Sequence, residues 1–357
     1  MVRLTCYGLA MRLPLSATLL PHLISRALGH LAGAVSNLFL APGSIFSLMS
    51  LGMAFAVSAV FLLRPRRGKR RLRLRALWRA LFPGRIWRHA STRADLGYLL
   101  LNTFVTGTLI GWALLSLAFV RGGATALLVH TLGPAPTAFL PPWAAEAVLT
   151  LGLFLAYDFA YWCDHYLKHR VSWLWAFHRI HHTAEVLTPV TAFRMHPVDS
   201  LIFSNICSLL VGVAYAVIDY GLGSNAHPAL LSGTNIVLVL FLCTTIHLQH
   251  SHIRLAFTGI WGRIVFSPAH HHIHHSDDPR HYNTNLGSCL TVWDWMFGTL
   301  VMPEASQRLR FGAGPAPEGA HSASGGLIHP FTQAAAILMQ PLRHLRPRAV
   351  RTDTESA

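Results

Sequence analysis

Four stretches of the chain, residues 43–63, 97–120, 143–162 and 198–220, stay apolar for about the 20 helical residues that a bilayer core demands. A fifth, 228–246, comes close. Only 12% of the 357 residues are charged and 52% are hydrophobic, whereas a soluble globular domain carries about 25% charged residues. The expectation is an all-α, polytopic membrane protein with about four to six transmembrane helices. Residues 122–140, with their glycines, prolines and His130, read as a non-cytoplasmic loop or a re-entrant piece. Residues 13–35 are ambiguous among an interfacial helix, an uncleaved signal-like segment and a further span.

The formal net charge of +15 raises the possibility of nucleic acid, but its distribution points to a membrane surface. Residues 64–93 read RPRRGKRRLRLRALWRALFPGRIWRHASTR directly after the first apolar stretch, which is the positive-inside pattern. Each such cation adds about 1 kcal/mol of attraction to an anionic lipid surface. Leu72, Leu74, Leu77, Trp78, Leu81 and Trp87 interleave with the charges, as in an interfacial amphipathic helix. No nucleic-acid module is visible. With the basic loop in the cytoplasm, alternate crossings deliver residues 164, 197 and 247 to that same side. The two outer loops, 121–142 and 221–227, then hold a single Lys or Arg, Arg121. The five cysteines have no CxxC spacing, so neither a disulfide framework nor a cysteine zinc site follows.

Histidines gather in that cytoplasmic-side material. DHYLKH places His165 and His169 at i and i+4 on one helix face. HRIHH sets His178, His181 and His182 at i, i+3 and i+4, and HHIHH repeats the spacing with His271, His274 and His275. Neutral imidazole is the commonest metal ligand, and eight or more exceed what one tetrahedral ion uses. Two ions follow, and imidazole suits iron, copper, zinc and nickel alike.

The motifs DFAYWCDHYLKH, WLWAFHRIHHTAEVLTPVTAFRMHPVD, LQHSHIRL and SPAHHHIHHSDDPRHYNTNLGSCLTVWDWMFGT, in this order over about residues 151–304, resemble the fatty acid hydroxylase superfamily, or sterol desaturase family. The resemblance implies a cytoplasmic helical cap whose histidine boxes hold two iron ions, with O2 as co-substrate. It implies as metal ligands His165, His169, His178, His181, His182, His271, His274 and His275, with His196 and His250 as further members. His247, His252, His270, His272 and His281 have weaker claims. Asp158, Asp164, Asp199, Asp277 and Asn285 are candidates to accept the second ring proton of a ligand. Arg194 is expected to pair with a carboxylate. Trp293, Asp294, Trp295 and Phe297 match the closing motif, the aromatic residues as interfacial anchors.

The function implied is hydroxylation or desaturation of an unactivated C–H bond of a lipid. CxxCH, GxGxxG and ferredoxin cysteine patterns are absent from the sequence, so electrons must come from a separate donor, such as a ferredoxin- or cytochrome b5-like reductase system. Two alternatives remain open at this point. A metal transporter would place its ligands near the membrane midplane, away from span ends. A zinc hydrolase would need a general base, for which Glu185 is the only glutamate near the boxes and no HExxH exists. The expected organisation is an N-terminal membrane region (1–140) with its basic loop (64–93), a catalytic domain (141–304) and a flexible tail (305–357). The expected location is a bacterial inner membrane, with lipids and no nucleic acid as partners.

Overall fold

The computed structural model describes residues 19–64, 74–106, 113–223, 226–304, 307–313 and 321–343. In chain order α1 (Leu19–Leu40) and α2 (Leu48–Leu63) are followed by α3 (Leu74–Leu81), α4 (Gly84–Trp87) and α5 (Ala90–Leu101), which runs into a π-helical turn at Asn102–Thr106. Then come α6 (Leu117–Leu132), α7 (Pro142–Arg170), α8 (Ser172–His182) and α9 (Pro197–Leu222). A two-residue hairpin, β1 (Leu230–Leu231) with β2 (Thr234–Asn235), leads into α10 (Ile236–Thr244). Short helices α11 (Gly259–Ile264), α12 (Pro268–His274) and α13 (Val292–Met296) precede a last helix, α14 (Ala323–Arg343).

Two of these helices, α7 with 29 residues and α9 with 26, are long and apolar enough to cross a membrane, while α2, α6 and the segment Ile236–Leu248 are apolar but shorter. The third and fourth apolar stretches of the sequence are therefore single helices. α7 and α9 run antiparallel. Ala145, Leu149 and Leu153 of α7 pack on Tyr215 and Leu222 of α9 at one end, and Lys168 meets Asp199 at the other. α6 lies along α9 at close range, where a Cβ on Gly212 would come within 2.8 Å of Val120.

The second apolar stretch does not form one helix. α5 stops at Leu101, and Asn102 donates to the carbonyls of Phe193 and Met195 at 2.8 and 3.0 Å, which ties this point to the loop before α9. Beyond residues 107–112, which lie outside the described residues, Asn205 of α9 accepts from Leu115 N at 2.7 Å and donates to Ala113 O at 3.3 Å. Two asparagines thus satisfy non-helical backbone inside the protein, the setting in which membrane folds tolerate it. A hydropathy window averages over such a break. It also misreads residues 122–140, whose first part is the body of α6. The fifth stretch is interrupted by the hairpin, and the first begins at Leu48, where the Ser47 side chain caps α2.

From the basic segment, α3 buries Leu77 and Leu81 against Ile253, Ala59, Phe61 and Leu62 and leaves Trp78 60% exposed. That amphipathic helix is seated on protein along its apolar face. The expected flexible tail contains α14, which packs on α8 through Ala334 against Ala176 and Phe177. Of the glycine- and proline-rich run 312–326, residues 314–320 lie outside the described residues, and Gly325 and Gly326 are already within this helix. The final residues 344–357 lie outside the described residues.

Candidate metal centre

α7 ends at Arg170 and α8 begins at Ser172, so the last two turns of one and the C-terminal half of the other present histidines to a common point. α12 approaches the same point and closes with His275 as its C-cap. Nine histidines meet there in two groups. His165, His169, His178, His182 and His274 form one, and His181, His250, His271 and His275 the other, each with its ligand atoms within 4.8 Å of one another. Each HxxHH box is divided between the groups, for His181 leaves its box partners and His274 leaves His271 and His275. In the first group all five Nε2 atoms are buried without a partner. In the second the Nε2 atoms approach one another at 2.9 to 3.1 Å, His250 to His181 and to His271, and His275 to His271.

Burial favours the neutral form of six of these rings. It holds His181, His182, His271 and His275 well below the usual imidazole range and brings His250 and His274 down to about 3, with neighbouring imidazoles adding to the effect. A neutral ring with a free Nε2 lone pair is the metal-binding form. Nine such lone pairs pointed at two places fit two cations.

A fatty acid hydroxylase family model matches residues 150–299, the segment that carries all nine histidines. That segment belongs to the fatty acid hydroxylase superfamily. Among its relatives are the alkylglycerol monooxygenase of Danio rerio, 28% identical over 46% of this chain and 33% of that protein, and the ornithine lipid hydroxylase of Rhizobium tropici, 28% identical over 45% and 44%. The delta(7)-sterol 5(6)-desaturase of Gibberella zeae is 30% identical over 45% of each chain. The matches thus span a third to under half of these relatives. No solved structure matches the chain.

The hydroxylase domain orients its rings mostly with backbone carbonyls. His165 Nδ1 meets Leu286 O at 2.9 Å and His274 Nδ1 meets Thr284 O at 2.9 Å. The loop that offers both carbonyls holds Asn283 and Asn285 in the left-handed region, at φ 59° and 53°, a conformation asparagine tolerates better than most residues. Asp294 fastens this loop by accepting from Leu286 N, Gly287 N, Thr299 Oγ1 and Trp162 Nε1 at 2.6 to 3.2 Å. Asp158 does the same one turn on, accepting from Cys289 N, Leu290 N and Trp293 Nε1.

Of the five residues expected to accept a ring proton, Asp199 alone does so, with its Oδ1 3.3 Å from His178 Nδ1. Asp164 is taken by Lys168 at 2.6 Å, Asp277 by Arg310 at 3.0 Å, Asp158 by the loop, and Asn285 bonds to backbone at His270 and Val301. Sequence proximity fails here because the rings turn toward a loop over a hundred positions away for His165. His196 stands apart from both groups: its Nε2 bonds Leu327 O of α14 and its Nδ1 accepts from Val198 N, so it caps α9. His252 bonds Ala80 O, His281 bonds Gln307, and His270 bonds Ser267. His272 is buried beside Phe311, and His247 stacks on Phe46. Trp293 serves Asp158 as a donor, while Trp295 and Phe297 are 66% and 51% exposed. Arg194 pairs with Asp95 at 2.7 Å, both fully buried.

Lys168 carried no motif signal. It lies 2.9 Å from Asp199 Oδ1, the oxygen that also faces His178, and 2.6 Å from Asp164. A buried carboxylate requires a counter-charge, and an i,i+4 Asp–Lys pair at the end of a long apolar helix is the one clue the sequence offered.

A cavity of about 240 Å³ reaches the centre. Ile45, Phe46, Phe203, Leu238, Leu242 and Ile246 form its apolar walls, and His165, His178, His181 and His250 stand at its inner end. A second, smaller cavity of about 100 Å³ touches His169, His182 and His274 beside Trp175.

Proposed function

We propose that the protein is a membrane-bound di-iron oxygenase that hydroxylates or desaturates an unactivated C–H bond of a lipid. The observation that carries this reading is the meeting of both imidazole groups with an apolar cavity. Two iron ions, one in each group, would supply activation of O2, with electrons from a separate ferredoxin- or cytochrome b5-like carrier. The protein's own work is placement. The walls from Phe46, Phe203, Leu242 and Ile246 hold an aliphatic segment and exclude water, and they bring one carbon to the inner end where four histidines stand. The cavity is below the roughly 300–1,000 Å³ of sites that enclose a whole drug-sized ligand, which suits part of a chain whose remainder stays among lipids. Desolvated, neutral imidazoles are ready for metal without losing protons first. We place the centre on the cytoplasmic side of a bacterial inner membrane.

Hydrolysis is the weaker reading, because Glu185 faces His89 and His321, away from this cavity. The relatives' names span a monooxygenase, a hydroxylase and a desaturase, which supports oxidation of a lipid and leaves the outcome at the carbon to experiment.

The test is comparative lipid mass spectrometry of cells with and without the chain, joined to metal analysis of the purified protein. The expected result is a lipid species gaining one oxygen or losing two hydrogens, and about two irons per chain, since nine ligands exceed one ion's needs. Activity restored by a single zinc would overturn it.

A further inference from the structure

We infer that the two imidazole groups hold their ions unequally, the group of His165, His169, His178, His182 and His274 tightly and the group of His181, His250, His271 and His275 weakly. The inference rests on the two-metal reading above. It comes from the other ring nitrogen. A histidine that ligates through Nε2 keeps its proton on Nδ1, and an acceptor for that proton fixes the ring and raises its basicity.

In the first group Nδ1 of His165, His178 and His274 each has an acceptor, respectively Leu286 O at 2.9 Å, Asp199 Oδ1 at 3.3 Å and Thr284 O at 2.9 Å. One of these is a carboxylate, held beside Lys168. In the second group Nδ1 of His181, His271 and His275 is buried with no partner among the described residues. Ligating through Nε2, those three rings each leave a buried N–H unsatisfied, which carries that group's full desolvation penalty. The first group also has five imidazoles against four. Both differences favour the same ion.

Two consequences follow. Metal leaves the second group first, giving a defined one-ion form. Asp199 acts as a positioning residue for His178 and through it for the first ion alone.

The experiment uses the full chain in detergent, loaded anaerobically with ferrous iron and titrated with a ferrous chelator, with retained iron read by elemental analysis. The expected result is two classes of ion whose dissociation constants differ at least about tenfold, the scale on which such acceptors act. His181→Ala should remove the weak class and keep the tight one, and His182→Ala the reverse. Asp199→Asn should weaken the tight class about tenfold or more with the weak class unchanged, and Asp199→Glu should recover part of that loss. Mössbauer spectra during the titration of the unaltered chain should lose one iron signal before the other, which keeps the test independent of any variant's folding. Loss of both ions in one step, or loss of the tight class in His181→Ala, overturns the ordering. A chain that never takes up a second ion overturns the two-metal reading itself.

Discussion

Burial holds His181, His182, His250, His271, His274 and His275 below the ordinary imidazole range, His250 and His274 at about 3. In the unfolded chain these rings titrate near 6.5. The native state therefore binds fewer protons between about 6.5 and 3, and its stability is full above that window and falls as the pH drops through it. The metal-free protein should lose melting temperature on going from pH 7 to pH 5, and bound metal should become easier to strip over the same range. A flat profile in calorimetry would show these rings to be solvated. Individual substitutions separate ligands from neighbours. His274→Ala should lower bound metal and abolish turnover, whereas His272→Gln should keep both ions and fall within about tenfold of normal turnover, because His272 packs on Phe311 outside both groups. Equal metal loss in the two variants would shift the ligand register.

At the scale of elements, the centre depends on a helix that composition assigned to a flexible tail. α14 covers the back of α8: Ala334 packs on Phe177, Phe331 meets Phe177 and His196 edge to face, and Leu327 O receives His196. α8 supplies three of the nine histidines, so its outer support bears on their aim. Truncation after residue 321 should lower the thermal midpoint by several degrees and reduce metal retention, since exposing a core phenylalanine and unpairing a buried ring each cost on the order of 1–3 kcal/mol. Thermal scans of the purified protein with metal analysis would check this, and unchanged values would return the segment to the status of a tail.

For the whole molecule, the antiparallel pair α7 and α9 fixes which parts share a side. Tyr220 at the end of α9 donates to Gly133 O, the C-cap of α6, on the side where α7 begins, and Asp199 at the other end meets Lys168 and the centre. If both helices cross a bilayer, a cysteine at Ala138 and one at Arg280 in a chain lacking native cysteines should be labelled from opposite faces by an impermeant reagent. A cysteine at Arg64 should be labelled with Arg280 if the basic segment lies in the cytoplasm. Labelling of Ala138 and Arg280 from one face would mean that α7 does not span.

Sequence alone was enough for the helical class, for α7 and α9 and for the histidines, because apolar length and i, i+3, i+4 spacing are local properties of the chain. Nine of the ten candidate ligands meet in the two groups, and His196 does not. Only the tertiary structure decided how each box divides between two groups, which carbonyls orient the rings, and that Lys168 compensates Asp164 and Asp199. It also decided the break near Asn102 and the docking of α14. The physical reason is that these depend on where distant backbone and buried charge come to rest. A carbonyl has no residue type to announce it, and a helix's packing partner leaves no periodicity in its own sequence.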